Sequence, residues 1–284
     1  MNEVSYARRK RVNAAMLFAT AVCAALSASI LIGILAYIGW QGASSLSFAF
    51  LTNLPKPVGE LGGGIANAVV GSAKVVGLAA AIGIPVGVAS GVYLAEYGRR
   101  GRFAFCVRYA ADVMNGVPSI VIGLFAYALI VMPMKRFSAF AGSVALALIM
   151  IPIVLRNTEE FLRLVPPTIR EAALALGVPR WKVVAFVVLP TAGRGILTGA
   201  LLALSRVAGE TAPLIFTAFG NRFWDQGLLN PIATLPHTLY DYAISPYDDW
   251  HRQAWAAALI LMAFVLAVNV TARVWLKPSA GAAN

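Results

Sequence analysis

Cysteine, histidine and acidic side chains are all scarce in this sequence. Two cysteines and two histidines in 284 residues leave no metal-ligand cluster and no disulfide framework. Cys23 lies inside an apolar run and Cys106 in a basic stretch, so the two are not expected to meet. His237 and His251 fall in a polar segment and carry little chemical signal. There is no G-x-x-x-x-G-K-[ST] pattern, so the phosphate-cradling loop of a nucleotide hydrolase is missing. Charge of either sign is rare, at 12% of residues.

What fills the chain is apolar. Hydrophobic residues make up 60%, and the mean hydropathy is +0.76. These values lie far outside the soluble range and describe one polytopic membrane domain over 1–284. No stretch is long or polar enough for a second, soluble domain.

The net charge of +11 could suit nucleic acid, but its distribution argues for a membrane instead. Arg8, Arg9, Lys10 and Arg11 precede the first apolar run. Arg99, Arg100, Arg102 and Arg108 fill a second stretch, and Arg156, Arg163, Arg170, Arg180, Lys182 and Arg194 a third. Arg273 and Lys277 follow the last run. The intervening segments carry only Lys56, Lys135, Arg136, Arg222 and Arg252. This asymmetry is the positive-inside rule, and it puts both termini in the cytoplasm.

Six spans are expected, all helical. The first covers 12–40; a cleaved signal peptide is the alternative, but the apolar run continues past Ser29 to Trp40. Residues 41–64 form an outside loop and 65–95 a Gly/Ala-rich second span. An inside loop, 95–108, leads to a third span, with Asp112 and Asn115 as caps near its start and Pro118 as a kink. The fourth span runs from about 138 to 155, the fifth over about 195–218 and the sixth over about 253–276. Segment 219–252 is outside, with tryptophan and tyrosine suited to the interface.

Between the fourth and fifth spans lies REAALALGVPRWKVVAFVVLP, too polar to cross a membrane. Glu171, Ala172 and Ala173 open a short helix, Gly177 stops it, and Pro179 restarts a second helix at its first turn. The alanines would let a partner approach the backbone closely. Taken alone, EAALAL is simply good helix sequence. Its place between spans, with Gly six residues after Glu and Leu189-Pro190 before the next span, resembles the cytoplasmic EAA loop of ABC-importer permeases.

The fifth span holds the oddity. SRVAGETAPLIFTAFGN puts Arg206 about 16 Å beyond Gly195, near mid-bilayer. A charge there costs about 2.5–3.5 kcal/mol on insertion scales. Arg206 and Glu210 stand four apart and can neutralise each other on one helix face. Two readings stay open: a structural ion pair between helices, or a polar path, with Thr211 and Pro213 opening the backbone.

GGGIANAVVGS, YLAEYG, PSIVIGLF, PIVLRNTEEFLRLVP, the EAA loop and RVAGETAPLIFTA together are similar to the A-type permease subunits of Pst phosphate importers. The likeness runs from about Gly62 to Arg273. It implies the type I ABC importer fold, with a peripheral first helix within 1–61, a core over 62–276 and a coupling loop over 160–190. The implied site residues are Arg206, Glu210, Thr211 and Arg156 along the substrate path. Glu171, Ala172, Ala173, Gly177 and Pro179 would contact the ATPase. The implied partners are a second related permease forming a heterodimer, two ATPase copies that bind ATP and Mg, a periplasmic phosphate-binding protein and the lipid of the inner membrane. No cofactor, catalysis or nucleic acid is expected of this chain. Lys74 could line the path or snorkel. Sulfate, molybdate or phosphonate is the alternative cargo. A secondary transporter is the alternative class, but the inverted repeat it calls for is not evident.

Overall fold

A computed structural model of the chain describes residues 3–98 and 101–275. Arg99, Arg100 and Lys277, part of the charge asymmetry, lie outside the described residues. The elements in order are α1 (Glu3–Ala43), α2 (Phe48–Thr52), α3 (Ala66–Val92), α4 (Arg102–Gly116), α5 (Ser119–Ala126), α6 (Met132–Met134) and α7 (Ala139–Leu164). They continue with α8 (Pro167–Ala175), α9 (Arg180–Val183), α10 (Leu189–Val207), α11 (Ala212–Thr217), α12 (Leu235–Ala243) and α13 (Asp248–Trp275). Three π-turns, Tyr93–Tyr97, Tyr127–Val131 and Val184–Val188, join or extend them.

Five continuous helical stretches are long and apolar enough to cross a bilayer: Arg8–Ala43, Ala66–Tyr97, Ala139–Leu164, Arg180–Val207 and Asp248–Val274. A sixth candidate is a bent pair of helices. Arg102–Gly116 and Ser119–Met134 meet at an angle of 109°. Pro118 is the cause: it drives Val117 into extended backbone (φ −73°, ψ 131°), so the helix cannot continue. The kink expected at Pro118 is thus a full break between two helices, and half of the expected inside loop 95–108 is helix.

Two other boundaries shift for one reason. Pro190 does not precede the fifth span; the helix already runs from Arg180. Proline has no N–H for the residue four back, and the wider π-turn Val184–Val188 just before it absorbs that missing bond. Pro133 stands in the same place after Tyr127–Val131. The fourth span continues to Leu164, so Arg156 belongs to a helix rather than to a loop.

Packing in lipid depends on close contact, since hydrocarbon offers no hydrophobic drive between helices. On α3, Gly83, Gly87 and Gly91 face Met150, Val154 and Thr158 of α7. A β-carbon at these glycines would sit 3.2, 2.7 and 2.6 Å from the partner's Cβ. The matching increments make α3 and α7 parallel. On α10, Gly195 faces Phe161 and Gly199 faces Asn157, so α10 is antiparallel to α7. The first helix is peripheral: exposed along most of its length, it meets α13 through Tyr37 on Trp255, with ring centroids 5.2 Å apart.

The polar connections sort to two ends. At one, the Gly62 N–H donates to Asp249 Oδ2, Gln253 Nε2 to the Gly62 carbonyl, and the Ser138 N–H to the Thr217 carbonyl. At the other, segment 93–108 meets 159–180 through the arginine contacts described next.

Candidate functional site

The broken end of α10 lies level with the middle of α7. The register set by Gly195 on Phe161 and Gly199 on Asn157 brings Arg206 level with Met150. Met150 is about 17 Å from one end of α7 and about 21 Å from the other. Arg206 therefore stands about midway along α7.

The expected pairing does not. α10 ends at Val207, and the Gly209 and Glu210 N–H groups fold back to the carbonyls of Arg206 (3.2 Å) and Val207 (3.1 Å). This tight turn removes the shared helical face. Among the described residues neither the Arg206 nor the Glu210 side chain has a hydrogen bond or an ion pair. Arg206 is exposed on the single chain, while Glu210 and Thr211 are half-buried. Thr211 caps α11, where Pro213 stands in the first turn and needs no N–H partner.

The second break adjoins the first. Gly123 of α5 packs on Pro213, where an added β-carbon would lie 2.6 Å from the proline Cα. Val117, Ala208 and Leu214 rest on one apolar cluster. Irregular backbone at this depth is tolerated where protein buries it or a wet cavity meets it.

Arg156 stands apart from that break, about 9 Å nearer the other end by helix register. Its Nε donates to Asp112 Oδ1 (3.0 Å) and its Nη1 to Glu159 Oε2 (3.2 Å). Glu159 is 2% exposed and also receives Arg108 Nε (2.7 Å) and Arg163 Nη2 (2.6 Å). Asp112, expected as a cap, sits inside α4 and pairs with Arg156 of α7, beside the Arg108–Glu159 pair between the same two helices.

The polar loop forms helix, turn, helix. α8 begins at Pro167, not at Glu171, and has no buried residue. Glu171 and Ala172 are exposed and Ala173 half-buried. Gly177 takes φ +78°, a left-handed conformation, and its N–H donates to the Leu174 carbonyl (2.9 Å). Pro179 lies just outside α9, as its cap, rather than in the first turn. Leu176, 83% exposed, leaves an apolar side chain uncovered on the loop.

Sequence reasoning missed what holds this loop. Glu96, 4% exposed, receives Arg170 Nε (3.0 Å) and Nη2 (2.7 Å) on Oε1. Arg180 donates to the Glu96 main-chain oxygen. The available signal was a lone carboxylate ending an apolar run, in YLAEYG, with unassigned arginines on both limbs of the loop.

A polar cavity of about 270 Å³ opens at the other end, lined by Asn67, Arg222, His237 and Asp241 among others. Tyr242 borders it, and burial pushes its hydroxyl up to about 12, so it stays neutral.

Comparison with known proteins adds to this geometry. The sequence pattern of the family described as "Binding-protein-dependent transport system inner membrane component" matches residues 83–277. The chain is 46% identical over 269 residues to a "Phosphate transport system permease protein PstA" of Xylella fastidiosa, covering 94% of this chain and 93% of that one. It is 47% identical over 234 residues to a protein of the same name from Yersinia pestis, covering 82% of this chain and 79% of that one. Among solved structures, a chain of the inward-facing MetNI methionine ABC transporter superposes with a TM-score of 0.63 at 18% identity. That match covers 75% of this chain and 96% of the other, and it shows the fold.

Proposed function

The chain belongs to the family of binding-protein-dependent transport system inner membrane components, and from that premise we propose that it carries inorganic phosphate through the inner membrane as one permease subunit of an ATP-driven importer. The observation that carries the path is Arg206, an unpaired guanidinium level with the middle of α7 on a face this chain leaves open. An isolated charge there costs about 2.5–3.5 kcal/mol, a cost that water or an anion in a shared path would offset. The phosphate cargo follows from the names of the relatives, which match the chain along nearly its whole length.

The chemistry fits that cargo. Guanidinium presents a planar fork that binds two phosphate oxygens and stays charged in low dielectric. Glu210, close in sequence at the same break, accepts the OH of a singly or doubly ionised phosphate and repels fully ionised anions. Thr211 offers a hydroxyl beside it. Arg156, held by Asp112 and Glu159, lends positive potential nearer the inner mouth without being free to bind.

The remaining parts of the reading concern assembly. A second, related permease faces the open side of α10, so that two breaks enclose one path. The exposed loop, with Glu171, Ala172, Ala173, Gly177 and Pro179, docks on one of two ATPase copies, which bind the ATP and Mg. A periplasmic phosphate-binding protein delivers cargo at the end bearing α12, and both termini face the cytoplasm. The test is uptake by the purified complex in proteoliposomes. Phosphate accumulation that needs ATP, the ATPase partner and loaded binding protein is expected; accumulation driven by an ion gradient without ATP would overturn the reading.

A further inference from the structure

Two limbs of the exposed loop converge on one buried residue, Glu96. Arg170, on the first limb, binds Glu96 Oε1 through two nitrogens, at 3.0 and 2.7 Å. The same guanidinium donates to the carbonyls of Leu162 (2.6 Å) and Val165, which close α7. Arg180, on the second limb, reaches the Glu96 carbonyl, and its guanidinium stacks 5.2 Å from the centroid of Tyr97. Arg170 is 13% exposed and Glu96 4% by side chain, so the pair is shielded from screening water.

We propose that Glu96 is a positioning residue for transport, the pin that makes the exposed loop and α3 move as one body. The inference rests on the reading of that loop as the ATPase contact. Three features support it. First, α8 buries no residue of its own; from it and the turn that follows, Ile169, Ala173 and Val178 only lean on an apolar cluster whose buried members include Val165 before α8 and Val183 after it. Its placement therefore depends strongly on the arginine bonds. Second, Glu96 lies within the π-turn Tyr93–Tyr97. Such turns depart from regular helix bonding and mark places where a helix yields. Arg170 on the Glu96 carboxylate and Arg180 on its main-chain carbonyl together stiffen that point. Third, α3 is keyed to α7 by Gly83, Gly87 and Gly91, with no slack for sliding. A push on the loop then passes through Glu96 into α3 and across the glycine ladder. Without the pin, the push is absorbed by bending at Tyr93–Tyr97.

The decisive quantity is ATP hydrolysed per phosphate delivered, in proteoliposomes holding the complete transporter. Glu96→Gln keeps the side-chain shape and removes the charge that Arg170 requires. The expected result is an assembled complex whose ratio rises about tenfold, equivalent to about 1.4 kcal/mol of lost coupling. Glu96→Asp, which keeps the charge with shorter reach, should fall between the two. An unchanged ratio in the assembled Glu96→Gln complex overturns the proposal. So does failure of both variants to assemble, which would make Glu96 a folding residue only. Gly177→Val, run alongside, separates this from the underlying reading. If that variant couples normally, the loop is not the ATPase contact and both ideas fall. If it uncouples while Glu96→Gln does not, only the role of Glu96 falls.

Discussion

Lys74 Nζ lies 2.7 Å from Asp225 Oδ2 and 2.8 Å from Oδ1, drawing segment 219–234 down beside the first turns of α3. Neither expectation for this lysine, path lining or snorkelling, describes that contact. Asp225 is 9% exposed and Lys74 42%, so the carboxylate depends on the ammonium more than the reverse. Lys74→Met should strand a buried charge and lower stability by about 1–3 kcal/mol. The double variant Lys74→Met, Asp225→Asn should recover most of that loss. Thermal unfolding of the detergent-purified chain measures both, and equal unfolding temperatures for the single variant and the parent would remove the pair's structural role.

The two ends of the molecule make a topology prediction. Arg102 begins α4 and Lys182 lies in α9, both at the end where Glu96 meets Arg170 and Arg180. Asp248 begins α13 at the opposite end, where its neighbour Asp249 accepts from the Gly62 N–H. Single cysteines at 102 and 182, in a chain freed of Cys23 and Cys106, should react only from the cytoplasm. One at 248 should react only from outside. Labelling of 102 and 182 from different sides would break the assignment of six crossings.

Legibility in the sequence followed the range of the interactions. Apolar runs report the crossings because a span needs about 20 such residues in a row, and charge asymmetry orients them. Gly177 was legible because a left-handed turn favours glycine in a way one position reveals. Helix ends were less so. Leu189-Pro190 reads as lying ahead of the next span, yet a π-turn carries one helix through it. Arg206 and Glu210 read as an i, i+4 pair because helix spacing was assumed to persist, while Gly209 turns the chain between them. The bonds of Glu96 to Arg170 and of Asp112 to Arg156 join residues 74 and 44 apart. No local pattern encodes such partners; only the fold brings them together.

Gly177 tests the loop. At φ +78° a β-branched side chain meets its own backbone, costing about 1–2 kcal/mol. Gly177→Val should insert and pack normally, since no neighbouring atom lies within 4 Å of an added β-carbon. It should reduce phosphate uptake at least several-fold by misaiming α8 against α9. Gly177→Asn, which tolerates the left-handed region, should retain most uptake. Full uptake by the valine variant would show that this turn does not aim the loop.

Arg206 and Glu210 decide between path and packing. If both charges served only to hold helices, removing them together would be tolerated, because apolar replacement of a buried pair is often neutral or stabilising. The structure already weakens that reading, since the two side chains make no ion pair with each other or with any described residue. Arg206→Met, Glu210→Met should therefore assemble and even gain stability, by losing two charges from mid-membrane. Its phosphate uptake, normalised to assembled complex, should fall at least about a hundredfold, the scale of a charge-assisted bond of about 3 kcal/mol. Arg206→Lys should keep a partial rate, because the ammonium retains the charge and loses the fork. Glu210→Gln should lower uptake less than loss of the arginine does, since its amide oxygen still accepts from the phosphate OH. Near-normal uptake by the double methionine variant would place the phosphate route elsewhere. The open face of α10 would then be a contact for the second permease and nothing more.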